Sequence, residues 1–408
     1  MERFTAQSLW LPVSAEASAV APERFNLRIA AAPMSPSTSA PIEARVVDAG
    51  EGTPETFAKL GAALKGSIVL VHSSEMKTFD DLFAEYMHNA ALLDAARKYQ
   101  PAALLLESTR PRLLLYRHPI SLDSNYSPVP AAIVAREHAE RLARLAQKGE
   151  VRVRLAISNK TAPSYESSNV VAEIRGREKP DEIVLVGAHL DSWDLGTGAE
   201  DNGVNVAMVI DLARAFHDLG IVPRRTIRFA LFTGEEQGML GSEAYVARHK
   251  NELDRFVAML AFDTGSGHLS GFFLNGREEL RKPINQALDS VAGLNATEHV
   301  PDAIDGTDNF DFMISGIPNL VGIQDTAPYL PDYHAESDTL DRVNLKEEKR
   351  TEAISAVLLW SFAENPDPPA RRQTREQVEK LLEDTKLIEQ MKVFGQWDDF
   401  KAGKRGLF

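Results

Sequence analysis

The stretch Glu182-Ile183-Val184-Leu185-Val186-Gly187-Ala188-His189-Leu190-Asp191 decides how the rest of the chain is read. It opens as a short, unbroken apolar run, the pattern of a strand buried on both faces, and it ends in a histidine and an aspartate. Three more apolar runs follow, over residues 226–232, 257–262 and 318–323, and a helical pattern over 204–216 separates the first two strands. Strands alternating with helices in this way predict an α/β fold with a mostly parallel central sheet flanked by helices. Sites in such folds lie beyond the carboxyl ends of the strands.

Those ends are where the candidate chemistry stands. The first run leads into His189 and Asp191, the second into Thr233-Gly234-Glu235-Glu236, and the third stops at Asp263. The fourth is followed within a dozen residues by His334. A glycine-bearing turn, Gly198-Ala199-Glu200-Asp201-Asn202-Gly203, precedes the helix. Taken singly each feature has an ordinary explanation: an aspartate before a helix commonly caps it, and adjacent glutamates commonly form a solvated pair. Taken together they gather Asp191, Asp201, Glu235, Glu236 and Asp263 at one sheet edge, where like charges repel. A pair of divalent cations removes that conflict. The chain has no cysteine, so zinc would sit on histidine nitrogen and carboxylate oxygen. In His189-Leu190-Asp191 the two outer side chains share one side of an extended segment, so Asp191 can orient the histidine ring. Glu235 and Glu236 point apart, which leaves one free to bind metal and the other to act as a base.

The runs His189-Leu190-Asp191-Ser192-Trp193-Asp194, Gly198-Ala199-Glu200-Asp201-Asn202-Gly203 and Thr233-Gly234-Glu235-Glu236-Gln237-Gly238 resemble the co-catalytic zinc exopeptidases of peptidase family M28. Within it they look most like the carboxypeptidase Q group, over roughly residues 20–365. The resemblance implies two zinc ions per chain, with manganese or cobalt as substitutes. His189 and Asp263 would hold one ion, Glu236 and His334 the other, and Asp201 would bridge them. It also implies Glu235 as general base, Asp191 as partner of His189, and a cis peptide after Asp201. The implied activity is hydrolysis of small peptides, as a dipeptidase or carboxypeptidase. The alternatives are an aminopeptidase, an amidohydrolase or aminoacylase on non-peptide amides, and an inactive binding module. Some relatives place a tyrosine where residues 302–309 have none; Asp308 and Asn309 are candidates for substrate contact there.

Around this core the sequence divides into four stretches. Residues 1–41, rich in proline, alanine and serine, predict an irregular or extended leading segment. Residues 42–157 alternate strands (43–47, 67–71, 102–106, 151–157) with helices (81–98, 136–147), which predicts a smaller α/β domain. By resemblance this is a protease-associated-like domain that shapes or covers the site. His72, His88, His118 and His138 fall within it and read as solvated or core residues. A polar hinge is expected over 159–168, the catalytic domain over 168–366, and a C-terminal helical tail over 367–408 whose charged helix, 374–391, docks on the surface. Family members begin with further catalytic-domain elements, so the resemblance implies that their N-terminal part is absent here.

The net charge of −14 and a pI near 5.3 argue against nucleic acid or an anionic membrane as partners. No run of about 18 apolar residues predicts a membrane span. The opening Met1-Glu2-Arg3-Phe4 does not have the form of a secretory signal. The resemblance implies export and a homodimer; a cytoplasmic location is the alternative.

Overall fold

The computed structural model describes residues 1–121 and 125–408. Its strands, in chain order, are β1 (Glu2–Ala21), β2 (Phe25–Leu27), β3 (Ile29–Ala31), β4 (Ile42–Asp48), β5 (Ile68–Val71), β6 (Ala103–Glu107) and β7 (Ala131–Val134), then β8 (Arg152–Ile174), β9 (Lys179–His189), β10 (Arg225–Phe232), β11 (Phe256–Ala261), β12 (Leu269–Phe273) and β13 (Asn319–Gln324). In β9, Ile183 and Leu185 pack with Tyr245, Phe256 and Phe312, while Val184 and Val186 pack with Leu212, Phe216, Ile354 and Leu358. Helices Leu240–Arg248 and Phe310–Ile314 cover the first face, and Val204–Asp218 and Leu345–Glu364 the second. Both faces are dry, which is why the strand reads as a continuous apolar run.

The strand order is β12-β13-β11-β9-β10-β8-β4-β5-β6-β7-β3. Strands β13, β11, β9 and β10 are mutually parallel, with β12 and β8 antiparallel at their flanks. Strands β4 to β7 are parallel, bounded by antiparallel β8 and β3. The fold is therefore α/β with a large, mostly parallel sheet flanked by helices.

Two expectations are corrected. Residues 159–168 are not a hinge but the middle of the 23-residue strand β8. The leading segment supplies its partner: β1 runs antiparallel to β8 from Glu2 opposite Asn169 to Ala21 opposite Arg152. Over residues 159–168 both faces of β8 are exposed or half-exposed, so that stretch lacks the hydrophobic alternation that Val153, Leu155 and Ile157 show at the start of the same strand. The charged helix expected over 374–391 is broken at Lys386 (φ 62°) into Arg375–Asp384 and Leu387–Val393, and a third helix, Gln396–Lys401, follows. The tail docks, but through all three helices. It packs Val378, Leu382, Met391 and Phe400 against Phe310, Met313 and Ile314. Among the described residues no helix is long and apolar enough to cross a membrane.

Candidate metal centre

Parallel pairing brings the strand ends level. The ladder sets Phe232 of β10 opposite His189 of β9, and Ala261 of β11 opposite Gly187. His189, the Glu235–Gln237 turn and Asp263 therefore leave the sheet along one edge. Gly234, at φ 84°, allows the abrupt change of direction after β10. Asp201 lies in the turn Ala199–Gly203 ahead of helix Val204–Asp218, and the Asp201–Asn202 peptide is cis. The amides of Glu200 and Asp201 donate to the two oxygens of Asp338 at 2.7 and 3.1 Å, and Asn202 Nδ2 donates to the Phe262 carbonyl at 2.9 Å. His334 arrives from the loop beyond β13.

Five side chains converge. His189 Nε2 is 2.7 Å from Asp263 Oδ1 and 3.1 Å from Asp201 Oδ1. His334 Nε2 is 2.8 Å from Glu236 Oε2 and 3.3 Å from Asp201 Oδ2. One carboxylate thus meets both histidines through its two oxygens. Each ring is held from behind by a main-chain carbonyl: His189 Nδ1 by that of Asp191 and His334 Nδ1 by that of Arg117, both at 2.9 Å. A carbonyl only accepts, so each Nδ1 carries hydrogen. A neutral ring then aims its Nε2 lone pair at carboxylate oxygens, which is favourable only with a proton or a cation between them. Asp201 Oδ2 and Glu236 Oε1 are buried without a hydrogen-bond donor, a condition proteins avoid unless something else satisfies the oxygen. Two histidine nitrogens and three carboxylates form a donor set that suits zinc. Ligand atoms of His189, Asp201 and Glu236 lie within 4.8 Å of one another, as do those of His189, Glu235 and Asp263.

Crowded charge shapes the site's proton affinities. Burial and the neighbouring Asp263 push the Glu235 carboxyl well above the usual range. Burial raises Glu236 to about 7, although His334 opposes the shift. Asp201 goes the other way: burial disfavours its charge, but the adjacent His189 and His334 outweigh that cost and hold its carboxyl below the usual range. A buried cluster holding more carboxylates than bases favours positive charge from outside.

Asp191 sits beside His189, but its carboxylate does not hydrogen-bond the ring. Its main-chain carbonyl, not its carboxylate, meets the ring; the carboxylate stands 3.9 Å from Nδ1. The carboxylate instead accepts the amides of Glu235 and Glu236 at 3.2 and 3.3 Å, which ties the glutamate turn to the end of β9. Glu235 is half-buried where Glu236 is buried, and both line a cavity of 250 Å³.

Sequence reasoning missed most of that cavity. Leu82 and Tyr86 come from helix Phe79–Tyr99, Tyr329 and Tyr333 from the loop before His334, and Phe394 and Arg405 from the tail. Tyr333 stacks on His334 with ring centroids 3.6 Å apart; the spacing Tyr329…Tyr333-His334 was the one signal of it in the sequence. Asp338 was missed as well. His118 is a core residue, as expected, packed against Tyr86 with ring centroids 3.9 Å apart and planes tilted by 40°. Asp308 is buried and Asn309 donates to Ile304 O and Asn319 Oδ1; neither lines the cavity.

Residues 169–359 match the model of peptidase family M28. Carboxypeptidase Q of Rattus norvegicus is 32% identical over 237 residues, covering 58% of this chain and 50% of its own length. A probable leucine aminopeptidase 2 of Aspergillus oryzae is 25% identical over 285 residues, covering 62% of this chain and 56% of its own. The chain thus spans about half the length of the curated relatives it matches. A crystal structure of a peptidase M28 precursor from Shewanella amazonensis superposes with a TM-score of 0.80 at 26% identity, covering 91% of this chain and 86% of that one. A zinc aminopeptidase from Bacillus subtilis shares the fold, with a TM-score of 0.69 at 18% identity over 92% of this chain and 88% of its own.

Proposed function

We propose, from the membership of residues 169–359 in peptidase family M28, that this protein is a zinc-dependent exopeptidase acting on small peptides, of the dipeptidase or carboxypeptidase kind. The observation that carries the reading is Asp201, whose two oxygens reach His189 Nε2 at 3.1 Å and His334 Nε2 at 3.3 Å. His189 with Asp263, and His334 with Glu236, then make two half-sites that share one carboxylate. Each half-site would hold one zinc ion. Bound there, zinc supplies Lewis acidity that polarises a scissile carbonyl and makes water a stronger acid.

The chain's own residues do the rest. Glu235 borders the cavity beside the His189–Asp263 half-site, and a proton acceptor is needed at that position. It takes a proton from the attacking water and returns one to the leaving amine, so one carboxylate serves both halves of the reaction. Asp191 and Asp338 act as positioning residues through the amides they accept. The Asp191 and Arg117 carbonyls set the histidine tautomers that metal binding requires. Residues 42–157, taken as a protease-associated-like unit, contribute to the centre through the Arg117 carbonyl and to the cavity through Tyr86.

The test is Glu235→Gln. It should retain zinc while losing at least about a hundredfold in kcat, read by metal analysis of the purified protein alongside dipeptide hydrolysis. Near-native turnover with full zinc would rule out Glu235 as the base.

A further inference from the structure

The far wall of the metal-site cavity is thin. It is made by two rings, Tyr86 on helix Phe79–Tyr99 and Phe394 just after helix Leu387–Val393, which meet edge to face with centroids 5.7 Å apart and planes at 72°. Both rings line the metal-site cavity, and both also line a second hollow of 130 Å³ on their other side, bordered by Asn89, Leu93, Arg97 and Val393. One layer of aromatic side chains therefore separates the two spaces.

Neither ring is loosely placed. Tyr86 is backed by His118 at 3.9 Å between ring centroids. Phe394 belongs to a tail anchored beside the site: Gln390 Nε2 donates to the Asp305 carbonyl and Gln396 Nε2 to Asp305 Oδ1, each at 3.2 Å. Arg405 closes the attachment through both oxygens of Asp311. The cavity these rings close holds 250 Å³, less than the ~300–1,000 Å³ of pockets that take drug-sized ligands. Its apolar lining includes Leu82, Phe83, Ile304 and Phe273, with Gln396 and Arg405 among its polar liners. That space and lining suit one apolar side chain of a peptide, not a run of residues.

We propose that Tyr86 and Phe394 are specificity-determining residues. They form a partition that limits the substrate residue seated in the cavity to a branched aliphatic or single-ring side chain. The outer hollow is the space a longer side chain enters once either ring is removed. The identity of the occupant, a peptide residue, rests on the peptidase reading above; the partition itself rests on the two rings and the two hollows.

The experiment uses the full chain with zinc added, as wild type and as Phe394→Ala, Phe394→Leu, Tyr86→Ala and Tyr86→Leu, each checked for folding by its melting curve. Calorimetry measures binding of free leucine, phenylalanine and biphenylalanine, and hydrolysis is followed on X-Gly and Gly-X dipeptides with X leucine or biphenylalanine. Wild type should prefer phenylalanine over biphenylalanine by at least about tenfold, and the alanine variants should reduce that ratio by at least about tenfold. The leucine variants carry the test if an alanine variant does not fold, and they should move the ratio the same way by less. Unchanged ratios in folded variants would overturn the partition, and so would wild-type protein that binds none of the three amino acids. Binding ratios that shift while no dipeptide is cleaved would uphold the partition and defeat the peptidase reading.

Discussion

Glu348 carries a buried carboxyl on helix Leu345–Glu364, and neither of its oxygens has a partner. Burial, with Glu352 and Glu200 nearby, raises its pKa from 4.5 to about 8. Between those values the folded chain keeps a proton that the unfolded chain releases, so this group's contribution to stability falls as pH rises from 4.5 to about 8 and is level beyond. Glu348→Gln should therefore match the parent near pH 4.5 and exceed it by about 1–3 kcal/mol at pH 8.5. Urea denaturation at the two pH values measures this, and a gain of equal size at both would contradict it. The ligand candidates, unlike Glu348, could be named from the sequence, because each stands at a fixed offset from an apolar run. What the sequence left open was which atom of each residue does what. His189-Leu190-Asp191 placed a carboxylate beside a histidine, but the folded chain gives the ring a main-chain carbonyl and uses the carboxylate to hold the Glu235-Glu236 amides.

Elements buried on two faces were legible, and elements exposed on two faces were not. Strand β9 announced itself because Ile183, Val184, Leu185 and Val186 all lose water on folding. The ribbon of β1 and β8 is ordered by main-chain pairing along 20- and 23-residue strands, and main-chain hydrogen bonds leave little mark on composition. The tail was hidden for a related reason: its contacts form over long sequence separations, the apolar packing on Phe310 and Ile314 and the Arg405–Asp311 ion pair alike. Arg405 meets Asp311 at 2.7 and 2.8 Å, with Asp311 fully enclosed. Arg405→Ala leaves that carboxylate buried and unpaired, which should cost about 3–5 kcal/mol. Replacing both, as Arg405→Met with Asp311→Leu, should recover much of the loss. A fall in urea midpoint for the single variant that the double variant deepens would refute this account.

At the scale of the whole molecule the proposed metal centre would act as a clasp. It draws on the ends of β9 and β11, the turn after β10, the turn at Asp201 and the His334 loop, and the Arg117 carbonyl ties in the smaller part of the chain. Metal that binds only the folded arrangement adds to its stability by mass action, about 2.7 kcal/mol per site at a free concentration of 100 Kd. A zinc chelator should therefore lower the melting temperature, and added zinc should restore it with uptake approaching two ions per chain. A melting temperature indifferent to both would exclude a clasp of this kind. The sequence by itself determined the α/β class, the edge of the sheet that bears the chemistry, and the residue types gathered there. It could do so because strand burial and strand-end position are local properties written in hydropathy and offset. Only the tertiary structure decided that Asp201 reaches both histidines, that Asp338 accepts the Glu200 and Asp201 amides while the Arg117 carbonyl meets His334, and that Tyr86 and Phe394 line the cavity. Those contacts join segments far apart in the chain, and their geometry follows from how the layers pack.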